Sequence, residues 1–187
     1  PDCIPTKENY IGTIPTRSSR SCYDIGKQVL ETLCYLYYNL YSVPVKVVRP
    51  FNFYGKYMGL NDNRVLSNWM RNLFKDEDIE IYGDGKQTRT FCYVEDGIKM
   101  CLALLEKGRD GEVYNIGNPT PELTMKELAE IFCHTFDYEG RYKVKDYPTF
   151  YPKEEPLRRC PNIDKVVRDT GIQPKISLTE GLQKMFD

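Results

Sequence analysis

At 187 residues, 41% hydrophobic and 28% charged, the chain has ordinary globular composition and is long enough for one domain with a real core. Its 26 Lys and Arg against 27 Asp and Glu leave a formal charge of -1, which excludes a broad electrostatic pull toward nucleic acid or an anionic membrane. No apolar run approaches the roughly 20 residues that a membrane helix needs, and the opening residues lack a signal-peptide pattern.

Residues 1–20 are rich in Pro, Ser and Thr without periodicity and read as an irregular loop. From Ser21 to about Tyr41, apolar residues at Ile25, Val29, Leu30, Leu33, Leu36, Tyr37 and Leu40 follow the 3.6-residue period of a helix. Tyr35, Tyr37, Tyr38 and Tyr41 crowd that helix, and at this spacing such a group more often makes a core or subunit contact than a ligand box. Val45–Val48 reads as a short buried strand after Pro44, and 51–63 as a loop. Val65–Phe74 returns to helical spacing. Ile79–Tyr82 is a strand closed by the turn Gly83-Asp84-Gly85.

Val94–Lys107 is a helix whose Glu95 and Asp96 suit its positive end. Glu112–Ile116 is a strand. Thr124 to about Phe136 is a helix opened by a capping box. The rest is a Tyr/Pro-rich loop, a short helix near Asp164–Thr170 stopped by Gly171, and a final helix from about Ser177. Strands alternate with helices, so the class is α/β with parallel pairing. Cys3, Cys22, Cys34, Cys92, Cys101, Cys133 and Cys160 are odd in number with no C-x-x-C spacing, which favours reduced cytoplasmic thiols over disulfides or a thiolate zinc site. One histidine, His134, excludes a histidine-rich metal site and is expected to be a helix-surface or core residue.

Two residues of the first helix carry a chemical signal. Tyr23 and Lys27 stand at i and i+4, on one face, so a phenol and an ammonium can converge on one substrate atom. A cation beside a phenol favours the phenolate and fits it to exchange a proton with a hydroxyl. Alone, the pair more often describes an exposed surface contact than a catalytic one. Asn52 follows a strand, at the end where open α/β sheets bind ligands, or it is a turn asparagine satisfying its own backbone.

Ser21-Cys22-Tyr23-Asp24-Ile25-Gly26-Lys27, then Arg49-Pro50-Phe51-Asn52-Phe53-Tyr54-Gly55, Ile81-Tyr82-Gly83-Asp84-Gly85, Gln87-Thr88-Arg89-Thr90-Phe91, Tyr93-Val94-Glu95-Asp96 and Tyr114-Asn115-Ile116-Gly117-Asn118 occur in order. This series resembles the extended short-chain dehydrogenase/reductases, the NAD-dependent nucleotide-sugar epimerases, dehydratases and decarboxylases. Leu157-Arg158-Arg159-Cys160-Pro161-Asn162-Ile163, with Glu155-Pro156 before it, is similar to a segment of UDP-glucuronate decarboxylases, as is the order of Glu8-Asn9-Tyr10-Ile11-Gly12 and Arg20-Ser21-Cys22-Tyr23-Asp24. Cys160 departs from that pattern, which has Lys there.

The resemblance implies that Tyr23 and Lys27 act on substrate and nicotinamide ribose, with Phe51 beside the cofactor. It implies that Asn52 and Arg89 touch the diphosphate or sugar, Tyr82 and Val65 the base, and Arg64 the same ligand. Guanidinium groups suit a diphosphate because they bind its oxygens in bidentate fashion. Arg159, or Arg158 in the alternative register, would stand at the sugar's reacting end.

It further implies a homodimer through helix 21–41, a Rossmann remnant at 1–57, and a nucleotide-sugar-binding part at 58–187 from which 92–118 returns to the Rossmann part. None of the 13 glycines forms a G-x-G-x-x-G, so the pyrophosphate cradle of the cofactor is expected upstream of residue 1, and this chain alone is expected to bind NAD weakly. A 4-epimerase, a 4,6-dehydratase and a non-catalytic nucleotide-sugar-binding module remain alternatives to the decarboxylase.

Overall fold

The computed structural model describes residues 2–148 and 156–186. In chain order the elements are α1 (Ser21–Tyr41), β1 (Val47–Pro50), β2 (Phe53–Tyr54), α2 (Val65–Phe74), β3 (Ile79–Tyr82), β4 (Thr88–Arg89), β5 (Cys92–Tyr93), α3 (Val94–Lys107), β6 (Val113–Ile116), β7 (Leu123–Thr124), α4 (Met125–Thr135), β8 (Tyr142–Lys145), β9 (Arg158–Arg159), α5 (Asp164–Thr170) and α6 (Leu178–Phe186). The α/β class with parallel pairing is as the sequence predicts: β1 runs parallel to β6, β2 to β5, β3 to β8, and β9 to β4, while β7 is antiparallel to β4.

Local signals account for several of these ends. Thr124 accepts from the Glu127 N–H at 3.1 Å while the Glu127 carboxylate accepts from the Thr124 N–H at 2.8 Å, which satisfies two donors at the start of α4. Gly171 caps α5 with φ of 77°, a left-handed conformation that glycine adopts without a Cβ penalty. The turn between β3 and β4 needs the same freedom twice, at Gly83 (72°) and Gly85 (71°).

Three expectations need correction. The strand expected at Val45–Val48 lies at Val47–Pro50, because Val45 is held ahead of the ladder: its N–H bonds Val43 at 2.8 Å and its carbonyl accepts from Gly111 at 2.7 Å. Pro50 ends the strand without a donor, and the Phe51 N–H reaches Ile116 at 2.9 Å in its place. The stretch 51–63 is not all loop, since it holds β2. The Tyr/Pro-rich stretch before α5 holds β8 and β9, and β8 pairs with β3 from Ile79↔Tyr142 to Tyr82↔Lys145.

Two apolar clusters form the interior. The larger joins α2, β3, α4 and α6 through Leu66, Trp69, Met70, Ile79, Ile81, Leu128, Phe132 and Leu182. The smaller joins α3, β6 and α5 through Met100, Leu104, Tyr114, Ile116 and Val166. Asp96, 2% exposed near the start of α3, accepts the N–H groups of Lys175 and Ile176 at 2.7 Å each and fixes the approach to α6. A buried carboxylate persists when its oxygens are this well bonded.

The opening segment is ordered by the ends of β6 and β9. Thr6 donates to Cys160 at 2.9 Å and accepts from Asn162 at 2.9 Å, and the Asn115 side chain also donates to Thr6 at 2.9 Å. α1 contributes little to either cluster: of its 21 residues only Ser21 is buried. An Arg49–Glu31 pair, with contacts of 2.8 and 2.6 Å, ties it to β1. Of the core or subunit contact expected of its tyrosines, the core alternative does not hold for Tyr35, Tyr37 and Tyr41, which are more than half exposed. His134 is a surface residue on α4, 3.3 Å from Glu139.

Candidate functional site

The site is organised by the three-stranded sheet β7-β4-β9. Parallel β4 and β9 pair Thr88 with Arg158 and Arg89 with Arg159. Alternate residues of a strand face opposite sides, so partners in register share a face. On one face, Glu122 accepts from Thr88 at 2.6 Å and grips Arg158 with both oxygens, at 2.6 and 2.7 Å. Those hydrogen bonds, Arg158 first, hold its carboxyl below the usual range. On the other face, Arg89 and Arg159 stand side by side and both line a cavity of about 260 Å³.

The pleat therefore puts the two arginines that sequence left as alternatives on opposite faces. Arg159 faces the cavity, and Arg158 lines none of the described cavities.

Arg89 is 9% exposed, and its Nη1 donates to the carbonyls of Thr88 (2.8 Å) and Leu157 (3.2 Å), which preset the guanidinium. Asn52, Arg64 and Val65 line the same cavity, together with Phe53, Tyr54, Met58, Phe91 and Met125. Its described lining thus holds three arginines and no carboxylate. Arg64 brings its own counter-ion, since its Nε and Nη2 bond Asp62 at 2.8 and 2.5 Å. Asn52 takes a left-handed conformation (φ 43°) at the end of β1 and donates to the Thr90 carbonyl at 2.7 Å. Its side chain thus satisfies the carbonyl of a residue 38 positions away, not its own turn, and it lines the cavity.

A second cavity of about 470 Å³ adjoins the first and shares Asn63, Val65, Gln87 and Met125 with it. Tyr82 lines this second space and not the first. Burial, and then its 3.0 Å hydrogen bond to Glu80, push the Tyr82 phenol above its ordinary range. Asn61, Asn68 and Asn72 give the second cavity a polar amide wall, with Trp69 behind it. Sequence reasoning did not single out Gln87, Phe91, Met58 or Met125. Gln87 and Phe91 lay inside a quoted block, and Gln87 donates to the Tyr82 carbonyl at 3.1 Å with its own oxygen buried and unbonded.

Tyr23 and Lys27 do converge with each other: the ammonium lies 5.5 Å from the phenol ring centroid, and the Arg20 guanidinium 5.3 Å from it. Tyr23 is 57% exposed, and neither residue lines a described cavity. Phe51 is half-buried where β1 ends, packed close to Gly117.

The residues present fit one end of a nicotinamide dinucleotide. Tyr23 and Lys27 are open to a ribose or nicotinamide, while no helix here begins with the glycine-rich turn that holds a pyrophosphate. Glu155 of the decarboxylase-like segment lies outside the described residues.

Parallel strand pairs, with a cavity opening beside Asn52 at the end of β1, are features of α/β folds that bind ligands beyond their strand ends. The chain belongs to the NAD dependent epimerase/dehydratase family, whose model matches residues 1–117.

Among curated proteins it is 40% identical to UDP-glucuronic acid decarboxylase 1 of Arabidopsis thaliana over 97% of this chain and 40% of that protein. It is 36% identical to UDP-glucuronic acid decarboxylase 1 of Danio rerio, over 98% of this chain and 43% of that one. The chain thus spans about half the length, or less, of the curated relatives it matches. A UDP-glucose 4-epimerase from Thermotoga maritima, solved with UDP-glucose, superposes with a TM-score of 0.87 at 26% identity, over 98% of this chain and 56% of that one. A UDP-glucuronic acid 4-epimerase from Bacillus cereus, solved with a fluorinated UDP-glucuronic acid and NAD, gives 0.82 at 26% identity, over 96% and 54%.

Proposed function

We propose that this chain is the nucleotide-sugar-binding part of an NAD-dependent UDP-glucuronate decarboxylase, an enzyme that forms UDP-xylose through a 4-keto sugar. The observation that carries the reading is the Arg89–Arg159 pair: two guanidiniums in register on one wall of a cavity whose described lining holds no carboxylate. Two neighbouring guanidiniums can give a multiply charged anion bidentate hydrogen bonds from both. A diphosphate-linked sugar acid supplies such charge. Arg89, preset by two carbonyls, suits the diphosphate. Arg159 suits the sugar's carboxylate end, where a cation steadies charge as CO2 leaves. The amide-walled cavity beside Tyr82 and Val65 takes the base.

Tyr23, held by Lys27, is the group that removes the proton from the 4-hydroxyl. NAD, when bound, supplies acceptance and return of the electron pair at that carbon. Oxidation there makes the carboxylate that of a β-keto acid, which loses CO2 readily. Decarboxylase over epimerase or dehydratase is supported by the 36–40% identity to decarboxylases noted above and by Arg159 facing the cavity.

For the division into a Rossmann portion, to which 1–57 and 92–118 contribute, and a sugar-nucleotide portion in the rest of 58–187, the smaller cluster gathers Met100, Leu104, Tyr114 and Ile116 of 92–118 but also Ile163 and Val166, while Tyr54 and Tyr93 join the larger. The exposed apolar surface of α1 supports a homodimer through that helix.

Calorimetric titration of the chain with UDP-glucuronate tests the site. Binding weakened at least tenfold by Arg89→Ala is expected, with tight NAD binding by this chain alone absent. The polypeptide carrying this chain, given NAD and UDP-glucuronate, should release CO2, and Tyr23→Phe should stop release while sparing UDP binding. UDP-galacturonate without CO2 would make it an epimerase.

A further inference from the structure

We infer that Glu122 is a positioning residue that selects which of two consecutive arginines enters the anion-binding cavity. The inference rests on the reading of Arg159 given under Proposed function.

β9 is two residues long, and both are arginine. A one-residue slip along β4 would turn the strand over, carrying Arg158 into the cavity and Arg159 out of it. Side-chain chemistry on the cavity side cannot prevent this, because the two side chains are identical. Backbone pairing over two residues specifies register weakly, and apolar patterning, the usual determinant, is absent from a pair of arginines.

Just beyond the pair, Cys160 and Pro161 are held by the bridge to Thr6, and within the pair a side-chain lock comes from the opposite face, where Glu122 stands. It stands just before β7, on the far side of the sheet from β9, and reaches across the central strand β4. One oxygen accepts from both the Thr88 hydroxyl and Arg158 Nε, at 2.6 Å each, and the other accepts from Arg158 Nη2 at 2.7 Å. The Glu122 side chain is 20% exposed and that of Arg158 51%, so this fork-to-fork contact is at the surface with its carboxylate end partly covered. Thr88 and Arg158 are partners in the ladder, so Glu122 bonds both members of a single rung. That rung is next to the one holding Arg89 and Arg159. Locking the first fixes the second.

The same arrangement removes Arg158 as a competitor. Its guanidinium is engaged in a bidentate pair on the outer face, and it lines no cavity. A cation left loose there would compete for the sugar nucleotide without reaching the correct position.

The test is a double-mutant cycle on this chain, titrated with UDP-glucuronate by calorimetry, with thermal melts to confirm that each variant is folded. Arg159→Ala is expected to weaken binding at least tenfold. Glu122→Ala should weaken it five- to twentyfold in the wild-type background and less than twofold when Arg159 is already Ala. Glu122→Gln, which keeps one acceptor for Thr88 and Arg158, should recover part of the loss. Arg158→Ala should matter little with Glu122 present.

If Glu122→Ala leaves affinity within twofold, or its cost multiplies in full with that of Arg159→Ala, Glu122 does not act through Arg159. If wild-type binding is itself unaffected by Arg159→Ala, the assignment of Arg159 falls, and the role of Glu122 with it. A purely structural role would lower the melting temperature and leave the two costs multiplicative.

Discussion

Helices α1 and α4 carry similar sequence signals and meet opposite fates. α4 places Met125, Leu128, Ala129, Phe132 and Cys133 on one stripe, and all five of these among its 11 residues are buried. α1 is nearly twice as long and apolar around most of its circumference, yet Val29, Leu30, Leu40 and Tyr41 are each more than half exposed. A stripe limited to one face describes a helix that its own chain covers. A broad apolar face left largely exposed describes a helix that needs more neighbours than the described residues supply. Periodicity reports that a face wants burial, and it does not report whose atoms will bury it.

The largest effect that separates the two helices is expected from α4. Phe132 is fully buried, with Trp69 and Phe136 packed against its ring at 5.6 and 4.9 Å between centroids. Phe132→Ala should cost ~3–5 kcal/mol in denaturant unfolding, as large aromatic truncations in a core do.

The next effect should come from the anchor of α1. Removing its bidentate tie with Arg49→Ala leaves Glu31 without its partner and should cost about 1 kcal/mol, discounted for partial exposure. Amide hydrogen exchange should quicken along α1 and not along α4.

The smallest effect should be Leu40→Ala, at a position 67% exposed, with a change within about 0.5 kcal/mol. A loss above roughly 2 kcal/mol that shrinks on dilution would break the comparison, because it would show α1 buried against a second copy in solution.

Legibility followed the range of the interaction. α2, β3, α3 and α5 have the bounds that sequence predicts, because helical periodicity and terminal residues such as Gly171 act within a few positions. β8 lacks a local strand signal: Tyr142-Lys143-Val144-Lys145 is mostly exposed and becomes a strand only by pairing with β3, some 60 residues away. The two-residue strands have no pattern to detect.

At the site, motif resemblance pointed to Asn52, Arg64, Val65, Arg89 and Arg159, and the structure gathers these five around one cavity. Tyr82 falls to the adjoining one. The choice between Arg158 and Arg159 was not legible, since it depends on which face of a pleat meets Glu122, and that residue joins the site from a turn 36 positions earlier.

The chain has a single tryptophan, Trp69, and it lies where α2 backs the larger cavity. It is 1% exposed, and its indole N–H is held by the Glu80 carbonyl at 2.8 Å, in the strand that leads to Tyr82. The chain therefore contains one indole fluorophore, excitable apart from its 15 tyrosines, shielded from bulk water and built into the wall of the space proposed for the base. Its emission can report occupancy of that space directly, with no label, no second indole to subtract, and no need for turnover.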